Sequence, residues 1–192
     1  IRAFCATSEL NYSTQLIRKA ALARDIKFKL LAQYQHHVEH ELCSLTSPQR
    51  THIMDITRPD ASSATAFSIT KNKYVTQLYL KQHKLPHTDA QCFDDMKVAL
   101  HHFKEMEGSC VVKPVVGGGS MGITLHVSDE QACMMAIEKA LQHYPIYMLE
   151  RYIEYPDYRL LFVNAKCIAI SQRLPAFVEG DGEQDIKALV AT

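Results

Sequence analysis

The chain has no excess of charge of either sign. Lys+Arg and Asp+Glu each number 21 in 192 residues, so the formal net charge is zero. A general binder of nucleic acid or of an anionic membrane surface carries a basic excess, so neither partner is expected. No apolar run approaches the roughly 20 residues that cross a bilayer, and no signal-peptide pattern opens the chain. Cys5, Cys43, Cys92, Cys110, Cys133 and Cys167 form no C-x-x-C pair. Such scatter suits reduced, buried thiols in a cytoplasmic protein better than a disulfide framework or a zinc site. Internal repeats and low-complexity tracts are also missing. There is no initiator methionine at Ile1, and the last residues, Ala188 to Thr192, read as the inside of a helix. The chain therefore reads as a piece of a longer protein. A homo-oligomer is left open.

What is present is an ordinary globular composition, 47% hydrophobic, long enough for one or two domains. Asn11 to Arg24 carries Leu16, Ile17, Ala20, Ala21 and Ala23 at helical spacing behind an Asn11 or Ser13 cap. Ile26–Leu31, Val38–Cys43 and Thr51–Ile56 read as strands. The Ser/Thr/Ala-rich stretch from Asp60 to Thr70 reads either as a linker or as the start of a helix. A second helix is expected from about Lys71 to Lys84, with Tyr74, Val75, Leu78 and Tyr79 as its apolar stripe and Pro86 as its stop. A third runs from Asp94 and Asp95 to about Met106, closed by Gly108. Ser128 and Gln131 predict a capping box for a fourth, with Met134, Ile137 and Leu141 inward. Ile146–Leu149 reads as a buried strand. Tyr158–Val163 and Lys166–Ser171 alternate about Asn164-Ala165 as a hairpin. Of the ten histidines, His36-His37-x-x-His40 is the densest group. A zinc site wants further ligands at defined spacing, so a solvated face is expected and no metal ligand is assigned.

The most telling segment is Val111-Val112-Lys113-Pro114-Val115-Val116-Gly117-Gly118-Gly119-Ser120-Met121-Gly122. The alternating Ile123-Thr124-Leu125-His126-Val127 follows, so the segment reads as strand, glycine loop, strand. Gly117, Gly119 and Gly122 formally satisfy G-x-G-x-x-G. A dinucleotide fingerprint needs a helix directly after the glycines, and a P-loop needs G-K-[ST] entering a helix. A kinase glycine loop precedes its lysine and is followed by H-R-D. None of these conditions is met. Glycines let backbone N–H groups approach an anion, and a lysine beside them adds a mobile charge for phosphate. The chemistry is that of a nucleoside triphosphate site; the plain alternative is a glycine-rich hairpin without a ligand.

Other residues extend the site. Lys73 opens the second helix, where a solvated lysine is the default. Glu150 ends a strand leading into Arg151-Tyr152-Ile153, whose backbone can offer an adenine edge one donor and one acceptor; for Tyr152 and Ile153 the plain alternative is core packing. Asp157 and Arg159 flank Tyr158 and share one strand face. They form either a weak ion pair or a grip on ribose and phosphate. Arg173 precedes Leu174-Pro175-Ala176-Phe177-Val178-Glu179-Gly180-Asp181-Gly182. Its planar fork suits a carboxylate or an acyl phosphate.

Together these blocks resemble the ATP-grasp carboxylate–amine ligases, with cyanophycin synthetase and the ligase half of bifunctional glutathione synthetase nearest in look. The blocks are Asn72-Lys73-x-x-Thr76 with Leu85-Pro86, Val112-Lys113-Pro114 with the glycine loop, Leu149-Glu150-Arg151-Tyr152-Ile153 with Asp157-Tyr158-Arg159, and Arg173-x-Pro175-Ala176-x-Val178-x-Gly180-Asp181-Gly182. The likeness is strong over about 70–192 and weak before.

It implies an α/β (α+β) fold, a partial ATP-grasp. Residues 1–60 would end a small preceding domain, 61–86 connect, 87–149 form the lid subdomain and 150–192 begin the second lobe. It implies ATP as cofactor, with Lys73 and Lys113 on its phosphates. Gly117, Gly118, Gly119, Ser120 and Met121 would lie over them. Glu150, Arg151, Tyr152 and Ile153 would read adenine, and Asp157 would bind ribose. Arg159 and Arg173 would stabilise the transferred phosphoryl group and an acyl phosphate, which an amino-acid or peptide amine attacks. Mg²⁺ is implied too, its ligands expected beyond residue 192, so this stretch alone is expected to be inactive. Met121 stands where cyanophycin synthetases tend to have lysine, and Tyr155 where a glycine is usual. A nucleotide-binding module without ligase activity, or a histidine-rich metal-binding domain, are the rival readings.

Overall fold

The computed structural model describes residues 10–36 and 38–191, with side chains described for 10–33 and 41–190. Four groups of elements follow one another along the chain. First comes α1 (Tyr12–Leu22), then an antiparallel meander of β1 (Lys27–His36), β2 (Val38–Thr46), β3 (Thr51–Asp55) and the two-residue β4 (Arg58–Pro59). Asn11 caps α1, its Oδ1 accepting from the Ser13 N–H. The buried Glu41 ties α1 to the meander, Oε1 accepting from the Asn11 N–H at 2.7 Å and from Gln33 Nε2 at 3.0 Å. The strand β1 is longer than its apolar pattern suggests because pairing with β2 carries it through the polar run from Gln33. The group His36, His37 and His40 lies outside the described side chains.

Residues 64–82 form two helices where one was expected. Ser63 caps α2 (Ala64–Lys71), so the Ser/Thr/Ala-rich stretch is a helix start and not a linker. Asn72 then breaks the path: it is extended (φ −106°, ψ 112°) and bridges Val116, while its Oδ1 accepts from the Tyr74 and Val75 N–H groups to cap α3 (Lys73–Gln82). Thr76 Oγ1 donates to the Ile69 and Asn72 carbonyls across this joint. The stripe expected to be apolar and inward is instead half-exposed at Val75, Leu78 and Tyr79.

The third group is a sheet of order β5-β8-β6-β7, from β5 (Ala90–Phe93), β6 (Cys110–Pro114), β7 (Thr124–Val127) and β8 (Tyr147–Arg151), all pairs antiparallel. The helices α4 (Met96–Glu105) and α5 (Glu130–Leu141) cover one face. Phe93, Cys110, Val112, Val127, Tyr147 and Leu149 meet Ala99, Phe103, Cys133, Ala136, Ile137 and Ala140 in the main core. Asp95 caps α4 as the dipole argument predicts. At α5 the expected capping box gives way: Asp129, not Ser128, accepts from the Ala132 N–H, and a carboxylate there is favoured by the positive helix end. Cys133, Ala136, Ile137 and Ala140 face inward, Ile137 as expected, while Met134 and Leu141 are half-exposed.

Beyond β8, the hairpin β9 (Asp157–Val163) and β10 (Lys166–Arg173) turns at Asn164 and Ala165, both at positive φ as expected of a two-residue hairpin loop. The short α6 (Ile186–Ala191) follows.

Candidate nucleotide site

The sheet register decides which side chains can work together. Alternate residues point to opposite faces. With Val112 and Leu149 in the core, Val111, Lys113, Met148 and Glu150 lie on the face away from α4 and α5. Lys113 and Glu150 are diagonal neighbours there, and the Lys113 ammonium donates to Glu150 Oε1. Both side chains are largely buried, at 16% and 9% exposure. Thr88 Oγ1 donates to the other Glu150 oxygen at 2.8 Å.

Lys73 reaches the same region from α3. Its backbone N–H donates to the Val115 carbonyl at 2.8 Å, and its Nζ to the carbonyls of Pro114 (2.9 Å) and Gly117 (3.0 Å). Burial, and then the nearby Lys113 charge, hold its pKa below the usual lysine value, with Glu150 opposing. Two lysines and one carboxylate leave one net positive charge beside the glycine loop.

The loop itself, from Gly117 to Met121, is exposed. Gly117, Gly119, Ser120 and Gly122 all have positive φ, so the backbone doubles back twice, with the Met121 N–H donating to the Gly118 carbonyl and the Ile123 N–H to that of Ser120.

The segment expected to read adenine emerges from β8. Arg151, Tyr152 and Ile153 line a cleft of about 470 Å³ with Thr88 and Asp89. Tyr152 is held twice, its N–H donating to the Ser109 carbonyl and its ring against His126, with centroids 3.7 Å apart. Ile153 is half-exposed, so it is not core. A cleft of about 500 Å³ between α3, β5 and α4, lined by Tyr74, Gln77, Lys81 and Gln91 among others, includes neither Lys113 nor the glycine loop. In the hairpin, the ion pair is not Asp157 with Arg159 but Asp157 with Arg173, directly across the strands at 3.3 Å. Arg159 faces Ser171.

Lys73, Lys113, Glu150 and the glycine loop therefore converge. Thr88 was missed; a lone threonine after Pro86 carries no pattern that marks it. Among the described residues no three His, Cys, Asp or Glu side chains gather as a metal site.

Comparison with known proteins bears on the fold. No family model matches the chain. The crystal structure of a bifunctional glutathione synthetase from Pasteurella multocida superposes with a TM-score of 0.54 at 22% identity, over 93% of this chain and 24% of that one. This is a partial ATP-grasp fold. In sequence, the chain is 29% identical over 201 residues to cyanophycin synthetase of Synechocystis sp., covering 99% of this chain and 21% of the relative. It is 24% identical over 190 residues to the glutathione biosynthesis bifunctional protein GshAB of Desulfotalea psychrophila, covering 97% and 24%. The chain thus spans under a quarter of the length of these curated relatives. Its relatives are ATP-grasp carboxylate–amine ligases. Among the described residues no helix is long and apolar enough to cross a membrane.

Proposed function

We propose that this chain is the ATP-binding part of a cytoplasmic, ATP- and Mg²⁺-dependent carboxylate–amine ligase that forms a peptide-like bond through an acyl phosphate. The observation that carries the proposal is the convergence of Lys73 and Lys113, from separate elements, beside one glycine loop on the sheet face away from α4 and α5. The donors fit a triphosphate: two ammonium groups, and an exposed glycine-rich backbone able to turn N–H groups toward an anion. Residues 87–149 are the lid subdomain in this reading and 150–192 open the second lobe, with 1–60 preceding and 61–86 connecting.

Lys113 leaves Glu150 in part to meet phosphate, and Lys73 offers the donor not used by the loop carbonyls. Arg151 to Ile153 give backbone groups to the base. On β9–β10, Asp157, Arg159 and Arg173 share one face. In this reading Asp157 meets the ribose, while Arg159 and Arg173 stabilise charge on the transferred phosphoryl group. Bound Mg²⁺ would supply further neutralisation of that charge. The carboxylate and amine substrates are amino acids or short peptides.

Calorimetry with ATP tests the proposal. Weak binding that is insensitive to Mg²⁺ is expected, falling further in Lys113→Ala. Tight binding unchanged by that substitution would sink the assignment of Lys113.

A further inference from the structure

The glycine loop is held at both ends, and only one of the holds belongs to the site described above. At its start, Lys73 grips the carbonyls of Pro114 and Gly117. At its end the grip comes from α5, on the opposite side of the sheet's core. Lys139 Nζ donates to the Ile123 carbonyl at 3.0 Å. One helical turn further on, the His143 ring packs on Gly122: a Cβ placed on Gly122 would lie 2.7 Å from His143 Cδ2 and 3.3 Å from two Pro114 ring carbons. Gly122 is buried while Gly117 to Met121 are exposed, so the boundary between anchored and free backbone falls at the His143 contact.

Lys139 lies in the last turn of α5 and His143 in the turn just beyond it, where the His143 N–H donates to the Ala140 carbonyl. They reach two consecutive residues of the loop. Lys139 and His143 are both exposed and add nothing to the core around Ile137 and Ala140. Their partners are a carbonyl and a glycine of the loop, not core side chains.

We propose that Lys139 and His143 are positioning residues for the nucleotide triphosphate: they fix the end of the glycine loop so that its N–H groups keep the geometry the phosphates require. The inference rests on the assignment of the loop to phosphate. A loop held at one end must be ordered at the cost of binding energy, whereas a loop held at both ends has that order before the ligand arrives. Lys139 acts here through a carbonyl and not on phosphate, and His143 acts through the ring face it gives Gly122.

The test uses the 192-residue chain and the variants Lys139→Met, Lys139→Arg, His143→Ala and His143→Phe. ATP and adenosine binding are measured by calorimetry, and amide hydrogen exchange of residues 117–123 is measured without ligand. Losing one hydrogen bond of ordinary net strength changes an equilibrium about three- to tenfold. Lys139→Met should therefore weaken ATP by about that factor, and His143→Ala, which removes the ring contact at Gly122, should weaken it too; both should leave adenosine unchanged and speed exchange in the loop. Lys139→Arg keeps a donor and His143→Phe keeps a ring, so both should retain most of the ATP affinity. Unchanged loop exchange in Lys139→Met and His143→Ala overturns the inference whatever the nucleotides do. So does an equal loss of ATP and adenosine, which marks a general structural role. If the parent chain binds ATP no better than adenosine, the phosphate assignment itself fails, while the exchange data still decide whether α5 holds the loop.

Discussion

The sheet β5–β8 and the hairpin β9–β10 are both built from short antiparallel strands, yet they stand in opposite states. Leu149, Met148, Tyr147 and Val112 are fully buried in the first. In the second every residue from Asp157 to Arg173 is exposed. Across the hairpin, Asp157, Arg159, Leu161, Ala169, Ser171 and Arg173 lie on one face, and Tyr158, Leu160, Phe162, Ile170 and Gln172 on the other, more apolar one. The difference shows that an apolar strand face asks to be covered without supplying the cover. For the sheet, α4 and α5 supply it from within 96–141; among the described residues nothing does so for the apolar face of the hairpin.

The largest expected contrast is between apolar truncations. Leu149→Ala should cost about 2–5 kcal/mol of stability in urea unfolding, as fully buried leucines do. Phe162→Ala, at a side chain already 56% exposed, should stay within about 0.5 kcal/mol. A similar loss at both positions would mean that the hairpin's apolar face is covered in solution.

The two regions also hold unlike ion pairs. Glu150→Ala leaves Lys113 buried without its partner, which should cost about 3 kcal/mol. Asp157→Ala removes a pair exposed at 61% on both sides, which should cost under about 1 kcal/mol. Paired thermal melts at low and at high salt check this. The Asp157 effect should fade with salt, while the Glu150 effect should persist.

Glycines sharpen the comparison further. Gly122→Ala meets both a positive φ and the His143 ring, and should cost about 1–3 kcal/mol. Gly182→Ala has an equally positive φ but open space around it, so it should cost about 1 kcal/mol. Equal losses in chemical denaturation would remove the packing contribution assigned to His143.

These contrasts mark what was legible in the sequence. The strand–loop–strand form of 110–127, the hairpin turn at Asn164-Ala165 and the Asn11 and Asp95 caps rest on local chemistry, and local chemistry is written in neighbouring residues. Lys113 beside the glycines was legible for the same reason. Its partner Glu150 lies 37 residues away, and the register that brings them together follows from pairing between β6 and β8. Thr88, Lys139 and His143 are in the same position: each matters through a contact that no spacing rule announces. The cap of α5 failed at short range because Ser128 and Asp129 are both favoured N-cap residues, and a carboxylate gains from the positive helix end. The joint at Asn72 failed because the residues on either side are good helix formers, and the bridge to Val116 overrides them.

The smallest expected effect concerns a hydroxyl within the sheet's core. Tyr147 Oη is buried and has no hydrogen-bond partner among the described residues, and burial pushes its pKa up to about 12 from an ordinary 10. A buried donor left unpaired carries its full desolvation cost, so Tyr147→Phe should stabilise the protein by about 1 kcal/mol at neutral pH. The sign of the pH dependence follows from proton counting. Between pH 10 and about 12 the unfolded chain has already released the phenolic proton while the folded one retains it, so the folded state binds more protons. Stability contributed by this group is then lost as the pH rises through that window. Lys73 has the opposite sign: its folded pKa lies below the unfolded value of 10.5, so folded protein gives up the proton first and stability rises as pH approaches 10.5. Tyr147→Phe should flatten the loss above pH 10, and Lys73→Met should remove the rise below 10.5, each in denaturant midpoints measured against pH. If Tyr147→Phe leaves the alkaline limb unchanged, the tyrosine hydroxyl reaches water, and the core of this sheet is less closed than its burial implies.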